Sequence, residues 1–231
     1  MSKSPLEKKT QVKRIFDSIA PRYDLLNHLL SFGLDFYWRK KALKLSSLNT
    51  NSKLLDVACG TGDFAIAASK VGVKNIIGAD LSKKMLELFI KKSIWISGRT
   101  IQMVAENIPL KNDSITNITV AFGVRNFFNI SDGFKSFYRI LASGGKVTIL
   151  EFRMPGNKYL KGLYKFYFKN ILPVIGGIIS GDKEAYRYLP ASVEEFDEKT
   201  DLVKLLEENG FKNVNSYNLT FGTVQIIIAV K

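Results

Sequence analysis

Leu54-Leu55-Asp56-Val57-Ala58-Cys59-Gly60-Thr61-Gly62-Asp63 decides how this chain is read. An apolar run carries an acid, a Gly-x-Gly turn follows, and a helical stretch runs from Phe64 to Lys70. A second acid, Asp80, closes another apolar run, Asn75-Ile76-Ile77-Gly78-Ala79, eighteen residues beyond Gly62. Strand, tight turn, helix and a distant acid together describe a nucleoside site at the carboxyl edge of a parallel sheet. The glycines let backbone approach a ligand, and an acid about 20 residues on can hold ribose hydroxyls.

The glycines alone leave the cofactor open, because Gly60-Thr61-Gly62-Asp63-Phe64-Ala65 also fits the dinucleotide pattern G-x-G-x-x-A. Loops of this composition also occur as plain strand-to-helix turns. The acids favour one answer. A pyrophosphate needs bare N–H groups and the positive end of a helix, and carboxylates around it repel it. Asp56, Asp63 and Asp80 surround this turn. They suit a cofactor with a cationic end, and S-adenosyl-L-methionine carries both an ammonium and a sulfonium. The loop reading therefore places Asp56, Gly60 and Gly62 at a cofactor site, with Asp80 on the ribose.

Outward from the loop, apolar runs alternate with helical patterns, the signature of a doubly wound α/β sheet. Strands are expected near 53–58, 75–80, 100–105, 115–122 and 146–152, with helices near 63–72, 83–97 and 131–141. Ala142-Ser143-Gly144-Gly145 reads as a helix stop and a turn. A helix from Lys199 to Asn209 then precedes two strands, 211–220 and 223–231, joined through Phe221-Gly222. Strands that close together must be antiparallel, since a parallel pair needs a long crossover. Five parallel strands and a terminal hairpin describe the class I S-adenosylmethionine-dependent methyltransferase fold: α/β, a seven-stranded mostly parallel sheet with helices on both faces.

At 231 residues the chain reads as one methyltransferase domain, residues 1–231. One cysteine and one histidine exclude a disulfide framework and argue against a structural zinc site, and no metal is expected. Cys59 reads as a small residue filling the turn. The start has no apolar core of a signal peptide, and no uncharged run approaches the ~20 residues that span a bilayer, so a cytoplasmic location is expected. Net charge is +13, and residues 1–53 hold eleven Lys/Arg against four Asp/Glu. That charge invites a nucleic-acid or anionic-membrane reading, beside the plain one of a soluble basic protein.

Two stretches lie outside the sheet. Residues 1–50 read as an N-terminal helical lid, with Val12, Ile15, Phe16 and Ile19 at helical spacing. Residues 153–198 read as an inserted apolar, helical, substrate-covering segment on which Lys161, Lys165 and Lys169 recur every four residues. The stripe can be a solvated face and the aromatics core packing. Together they suit a helix lying on an anionic bilayer.

Ile15-Phe16-Asp17-Ser18-Ile19-Ala20-Pro21-Arg22-Tyr23-Asp24-Leu25-Leu26-Asn27 resembles the opening signature of the menaquinone/ubiquinone C-methyltransferase family. Similar to it are Ala105-Glu106-Asn107-Ile108-Pro109-Leu110, Ala121-Phe122-Gly123-Val124-Arg125-Asn126, Leu150-Glu151-Phe152 and Ala185-Tyr186-Arg187-Tyr188-Leu189. The likeness covers about residues 12–225. It implies methyl transfer from S-adenosyl-L-methionine to a ring carbon of a polyprenylated hydroquinone. It also implies cofactor contacts at Thr61, Asp80, Val104, Ala105 and Ala121. Two departures stand out: an Asp or Asn is usual at Val104 and a serine at Ala121, so polar side-chain contacts are lost there.

A ring carbon becomes nucleophilic when a neighbouring hydroxyl loses its proton, so the enzyme needs a proton acceptor and a stabilised oxyanion. Arg125, after the fourth strand, is the expected cation, with a structural salt bridge as its alternative. Tyr23 and Asp24 are the acceptor candidates, ahead of His28; Tyr23 can equally stack on the ring. Tyr186, Arg187 and Tyr188 are expected at the substrate pocket. Demethylmenaquinol is the favoured substrate, and a benzoquinol is the alternative that the same motifs allow. The long apolar tail calls for contact with the inner face of the cell membrane, and the reading leaves room for a homodimer. No nucleic-acid partner is expected: an RNA methyltransferase, the runner-up suggested by charge, would want an Asn-Pro-Pro-Tyr-like run where Ala121–Asn126 stand. A cofactor-binding scaffold without turnover is the non-enzymatic alternative.

Overall fold

The computed structural model describes residues 5–180 and 182–231. Seven strands form one sheet: β1 (Lys53–Val57), β2 (Asn75–Asp80), β3 (Thr100–Gln102), β4 (Ile115–Ala121), β5 (Leu141–Phe152), β6 (Lys212–Leu219) and β7 (Val224–Val230). Their order is β3-β2-β1-β4-β5-β7-β6. The first five are parallel, and β7 runs antiparallel to both β5 and β6. The expected seven-stranded, mostly parallel sheet with its terminal hairpin is therefore present. Leu54, Leu55 and Val57 are buried, as a central parallel strand covered on both faces requires. The order reverses at β1, between β2 and β4, so the ligand crevice belongs at the carboxyl ends of β1 and β4.

Helices cover both faces. On one, α3 (Leu34–Ser46), α4 (Asp63–Lys70) and α5 (Lys83–Lys92) contribute Trp38, Phe64, Ala65, Ala68 and Phe89 to a core against Leu54 and Ile226. On the other, α6 (Ile130–Ile140) and α10 (Leu202–Glu208) bury Phe134, Phe137 and Leu206 against Leu55, Ile118 and Ile149. Side chains stop the helices from fraying at their starts. Ser82 Oγ accepts from Met85 N–H (3.2 Å) ahead of α5, and Asn129 Oδ1 from Asp132 N–H (3.2 Å) ahead of α6.

A third apolar cluster joins the two stretches outside the sheet. Ile15 and Ile19 of α1 (Pro5–Ile19) and Leu26 of α2 (Tyr23–Leu30) pack with Met154, Phe168, Leu172, Tyr186 and Val193. The last five belong to the 153–198 segment, which after Met154 forms α7 (Lys158–Phe166), one π turn (Tyr167–Ile171), α8 (Leu172–Ser180) and α9 (Lys183–Lys199).

Four expectations need correction. The helix read over 83–97 ends at Lys92, and Ile94–Ile96 form a separate 3₁₀ turn. The third strand stops at Gln102, because the chain turns at Met103 to wall the crevice. Ala142–Gly145 lie inside β5, with a register shift on the β4 side. Gly144 N–H donates to Lys231 O (3.2 Å) and Lys231 N–H to Gly145 O (2.9 Å), so pairing with Lys231 keeps that stretch in the ladder as a bulge, with Gly144 at φ +72°. The helix read from Lys199 to Asn209 starts at Leu202, where the Asp201 carboxylate caps Val203 and Lys204 N–H.

Candidate active site

Two cavities meet above the carboxyl edge of the sheet, and Phe16, Tyr23 and Phe122 line both. The first, about 690 Å³ counting its open mouth, is walled by Gly60, Asp80 to Ser82, Met103 to Glu106, Ala121 and Phe122. The second, about 1250 Å³, is mainly aromatic: Trp38, Phe152, Tyr164, Tyr167, Phe168, Tyr186 and Tyr188 surround it, with Arg125 among them.

The first cavity is built by the glycine loop. Gly60 and Gly62 adopt positive φ (+55° and +86°), and a Cβ on Gly62 would sit 2.1 Å from Phe89 Cδ2. Only glycine lets α4 start so close to α5. Gly60 N–H and Ser82 N–H donate to the two oxygens of Asp80 (2.9 and 2.8 Å). Burial nevertheless pushes Asp80 up to about 6. Asp56 lies under the loop, 1% exposed, where Thr119 Oγ1 donates to Oδ1 (2.7 Å) and burial pushes the carboxyl up to about 7. Burial, with Asp80 and Asp56 nearby, raises the Cys59 thiol well above its usual value, which suits a packing residue.

Of the residues expected at the cofactor, Gly60, Asp80, Val104, Ala105 and Ala121 line the first cavity. Asp56, Thr61 and Gly62 are not among its lining. The Thr61 hydroxyl donates to Asp24 Oδ1, and Lys92 Nζ bridges Asp24 Oδ2 (2.8 Å) and Asp63. Glu106, close to Val104, accepts from Phe128 N–H (2.6 Å) and Asn129 N–H (3.0 Å) and so holds the loop opposite. The cradle suits an adenosyl group with a cationic end: backbone approaches at Gly60, and burial destabilises the charged form of the Asp80 carboxyl in its wall.

Asp24 therefore belongs to a clasp between the first helices and the glycine loop, and it lines neither cavity. The clasp continues through Asp63, 3.5 Å from Arg39 Nη2, and through Asp35, which pairs with Arg39 and His28 Nδ1 (2.7 Å). Burial alone would raise Asp35; Arg39, with hydrogen bonds from Ser31 and His28, outweighs it and holds the carboxyl below its usual range. His28, Asp35 and Asp63 come within metal-ligand reach of one another. Arg39 and Lys92 already neutralise both acids. His28 lies on Phe36 (centroids 4.3 Å) rather than in either cavity.

In the second cavity Arg125 sits on a 3₁₀ turn (Val124–Asn126) after β4. Its Nη1 donates to Glu151 Oε1 (2.7 Å) and Phe122 O (2.5 Å), and Cζ lies 5.5 Å from the Phe152 ring centre. Glu151 is fully buried at the end of β5 and accepts further from Arg125 N–H (3.3 Å) and Phe152 N–H (3.0 Å). The salt bridge considered as an alternative for Arg125 is thus present, inside the cavity wall. Burial raises the Tyr23 phenol, so Tyr23 stays protonated and is a poor acceptor. Tyr186 and Tyr188 line the cavity; the side chain of Arg187 lies outside the described residues. The sequence reading gave Glu151 and Tyr164 no role. An acid closing an apolar strand, the signal used for Asp80, also marks Glu151.

The ubiE/COQ5 methyltransferase family matches residues 4–231. A ubiquinone/menaquinone biosynthesis C-methyltransferase UbiE of Geotalea daltonii is 45% identical, over 97% of this chain and 98% of that protein. A demethylmenaquinone methyltransferase of Chlorobaculum tepidum is 40% identical, over 96% of this chain and 93% of its own. Among solved structures, a SAM-dependent methyltransferase of Thermotoga maritima superposes with a TM-score of 0.66 at 18% identity, covering 95% of this chain and 99% of its own, which establishes the fold alone. Sheet order, glycine loop, paired cavities and a match along nearly the whole length agree: the chain belongs to the ubiE/COQ5 methyltransferase family.

Proposed function

We propose that this protein methylates a ring carbon of a polyprenylated hydroquinone, demethylmenaquinol in the first instance, with S-adenosyl-L-methionine as donor. One observation carries the reading: a large aromatic cavity containing a buried guanidinium adjoins the nucleoside cradle and shares Phe16, Tyr23 and Phe122 with it. When bound, the cofactor supplies an electrophilic methyl on a sulfonium. Asp80 takes the ribose hydroxyls, and backbone at Val104-Ala105 meets the adenine. Thr61 and Asp24 act behind the loop and keep the first helices closed on it.

On the substrate side, the hydroxyl next to the reacting carbon sheds its proton to water through the open cavity. Arg125, oriented by Glu151, stabilises the charge left on oxygen. The apolar walls hold the ring in line, and Tyr23 closes the junction against water. Overall a ring C–H becomes C–CH₃, with one proton released. Tyr23 and Asp24 are thereby assigned to closure rather than to proton removal.

The surface fits a tail that lives in a bilayer. Phe32 is exposed on the turn between α2 and α3, and Tyr159, Leu163, Phe166, Val174 and Ile178 are exposed on α7 and α8. No helix among the described residues is long and apolar enough to cross a membrane. Lys165 and Lys169 are tied to Glu194, the latter at 3.2 Å, which leaves part of the expected basic stripe for lipid headgroups. We place the protein at an anionic membrane surface on this ground; no binding to anionic vesicles at low salt would refute that placement. Labelled methyl transfer to reduced demethylmenaquinol and to a demethylated benzoquinol, each in detergent, tests the reaction. Label on the naphthoquinol alone supports the assignment. Label on the benzoquinol as well marks a broader enzyme, and label on neither refutes it.

A further inference from the structure

Tyr164, on α7, has a hydroxyl that is fully covered and finds no hydrogen-bond partner among the described residues. Two other tyrosines of the same cavity are satisfied: Tyr167 donates to Leu30 O (2.8 Å) and Tyr188 to Asn126 Oδ1 (2.9 Å). Buried polar groups are rarely left in that state, because they lose hydration with nothing in return. The ring is not loosely held. It stacks on Phe168 with centroids 4.1 Å apart, Phe168 meets Phe152 edge-on at 6.2 Å, and Phe152 carries the Arg125 guanidinium over its face. One aromatic ladder thus fixes the Tyr164 ring relative to the Arg125 guanidinium, and both residues line a single cavity. Burial keeps the phenol protonated, so it is a neutral donor.

We propose that Tyr164 donates its phenolic hydrogen to the ring oxygen of the hydroquinol that is remote from the reacting carbon, while Arg125 faces the nearer oxygen. The proposal rests on the methylation reading above. A hydroquinone carries two oxygens on opposite sides of the ring, and only loss of the proton adjacent to the reacting carbon places negative charge on that carbon. A ring bound the other way round presents a substituted carbon to the donor. A guanidinium at one oxygen and a neutral phenol at the other distinguish the two orientations, because the cation draws the charge to its own side. Tyr164 is thus a substrate-orienting residue.

Tyr164→Phe keeps the ring and its stacking and removes only the oxygen. We expect a folded protein no less thermostable than the wild type, unchanged cofactor binding, and a kcat/KM for the reduced quinol lowered about tenfold or more, as loss of one buried hydrogen bond entails. A substrate analogue with hydrogen in place of the remote hydroxyl should be used equally well by both proteins, a result that a merely structural role would not give. An unaltered kcat/KM on the full quinol, or the same deficit on the analogue, overturns the proposal and leaves the methylation reading standing. A wild type that methylates no hydroquinone overturns both.

Discussion

Arg125→Ala separates the structural and catalytic parts of the buried ion pair. The substitution leaves the Glu151 carboxylate with no exposure to water and without its 2.7 Å guanidinium partner. Removing one member of a buried pair typically costs about 3–5 kcal/mol. Two donors survive, Phe152 N–H at 3.0 Å and the backbone N–H of residue 125 at 3.3 Å, which places the expectation at the lower end, about 3 kcal/mol. Urea denaturation reads this as a lower midpoint. The double variant Arg125→Met/Glu151→Gln removes both charges and keeps the volume, so most of the stability returns. Methyl transfer should not return, because an oxyanion donor is worth about 10²–10³ in rate. Cofactor binding, measured by calorimetry, should be unchanged in both, since Arg125 lines only the aromatic cavity. A double variant that regains both stability and turnover refutes the catalytic assignment. A single variant that loses under about 1 kcal/mol refutes the picture of an uncompensated buried charge.

Gly62→Ala forces a positive φ on alanine and drives its Cβ into the fully buried Phe89, so chemical denaturation should show a loss of about 2–4 kcal/mol; shortening Phe89 to leucine in that background recovers part of it. Asp80 must be ionised to accept two ribose hydroxyls, and burial raises it to about 6, so protons compete with the cofactor below that pH. Titration calorimetry should find affinity weakening as pH falls through about 6 in the wild type and a flat, weaker profile in Asp80→Asn; a flat wild-type profile contradicts the assignment. Asp24→Asn loosens the clasp to Thr61 and Lys92 and should raise KM for the cofactor a few-fold while leaving the pH profile of turnover in place. Loss of the acidic limb would return Asp24 to the role of proton acceptor.

The sheet and the cofactor crevice were legible because topology fixes where strand ends go. Asp56, Gly60, Asp80, Ala105, Ala121 and Arg125 all stand at or just past the carboxyl end of an apolar run, and a doubly wound sheet brings those ends together. Ala142–Gly145 misled because their composition describes a turn, whereas pairing with Lys231 keeps them in the sheet as a bulge with Gly144 at positive φ. The helices outside the sheet have no such template. Their spacing announced helices but not partners: Trp38 Nε1 donates to Thr220 Oγ1 across 182 residues, and Asp24 turns to Thr61 rather than to substrate. Glu151 carries the same mark as Asp80, an acid closing an apolar strand, but its pairing with Arg125, like the enclosure of Tyr164, depends on what surrounds it in space.

The junction between the cavities shows how that irregular packing serves the chemistry. Ala121-Phe122-Gly123 breaks β4 away from the sheet with Phe122 at φ +58°, a conformation that costs a bulky residue energy. Glycine would relieve that strain, yet the ring is held on every side. Phe122 N–H donates to Leu150 O (2.7 Å), its ring lies 4.5 Å from that of Phe152, and Trp38 and Arg39 of α3 pack against it. Phe122 thus ties the strained strand end to the first helices, while Tyr23 faces it from the start of α2 and lines the same two cavities. In the methylation proposed above, the methyl group would pass where the two cavities share these rings as walls. The strain at Phe122 is therefore understood as the cost of an apolar wall at the point of transfer, where a flexible glycine would admit water to a cavity whose guanidinium acts most strongly without it.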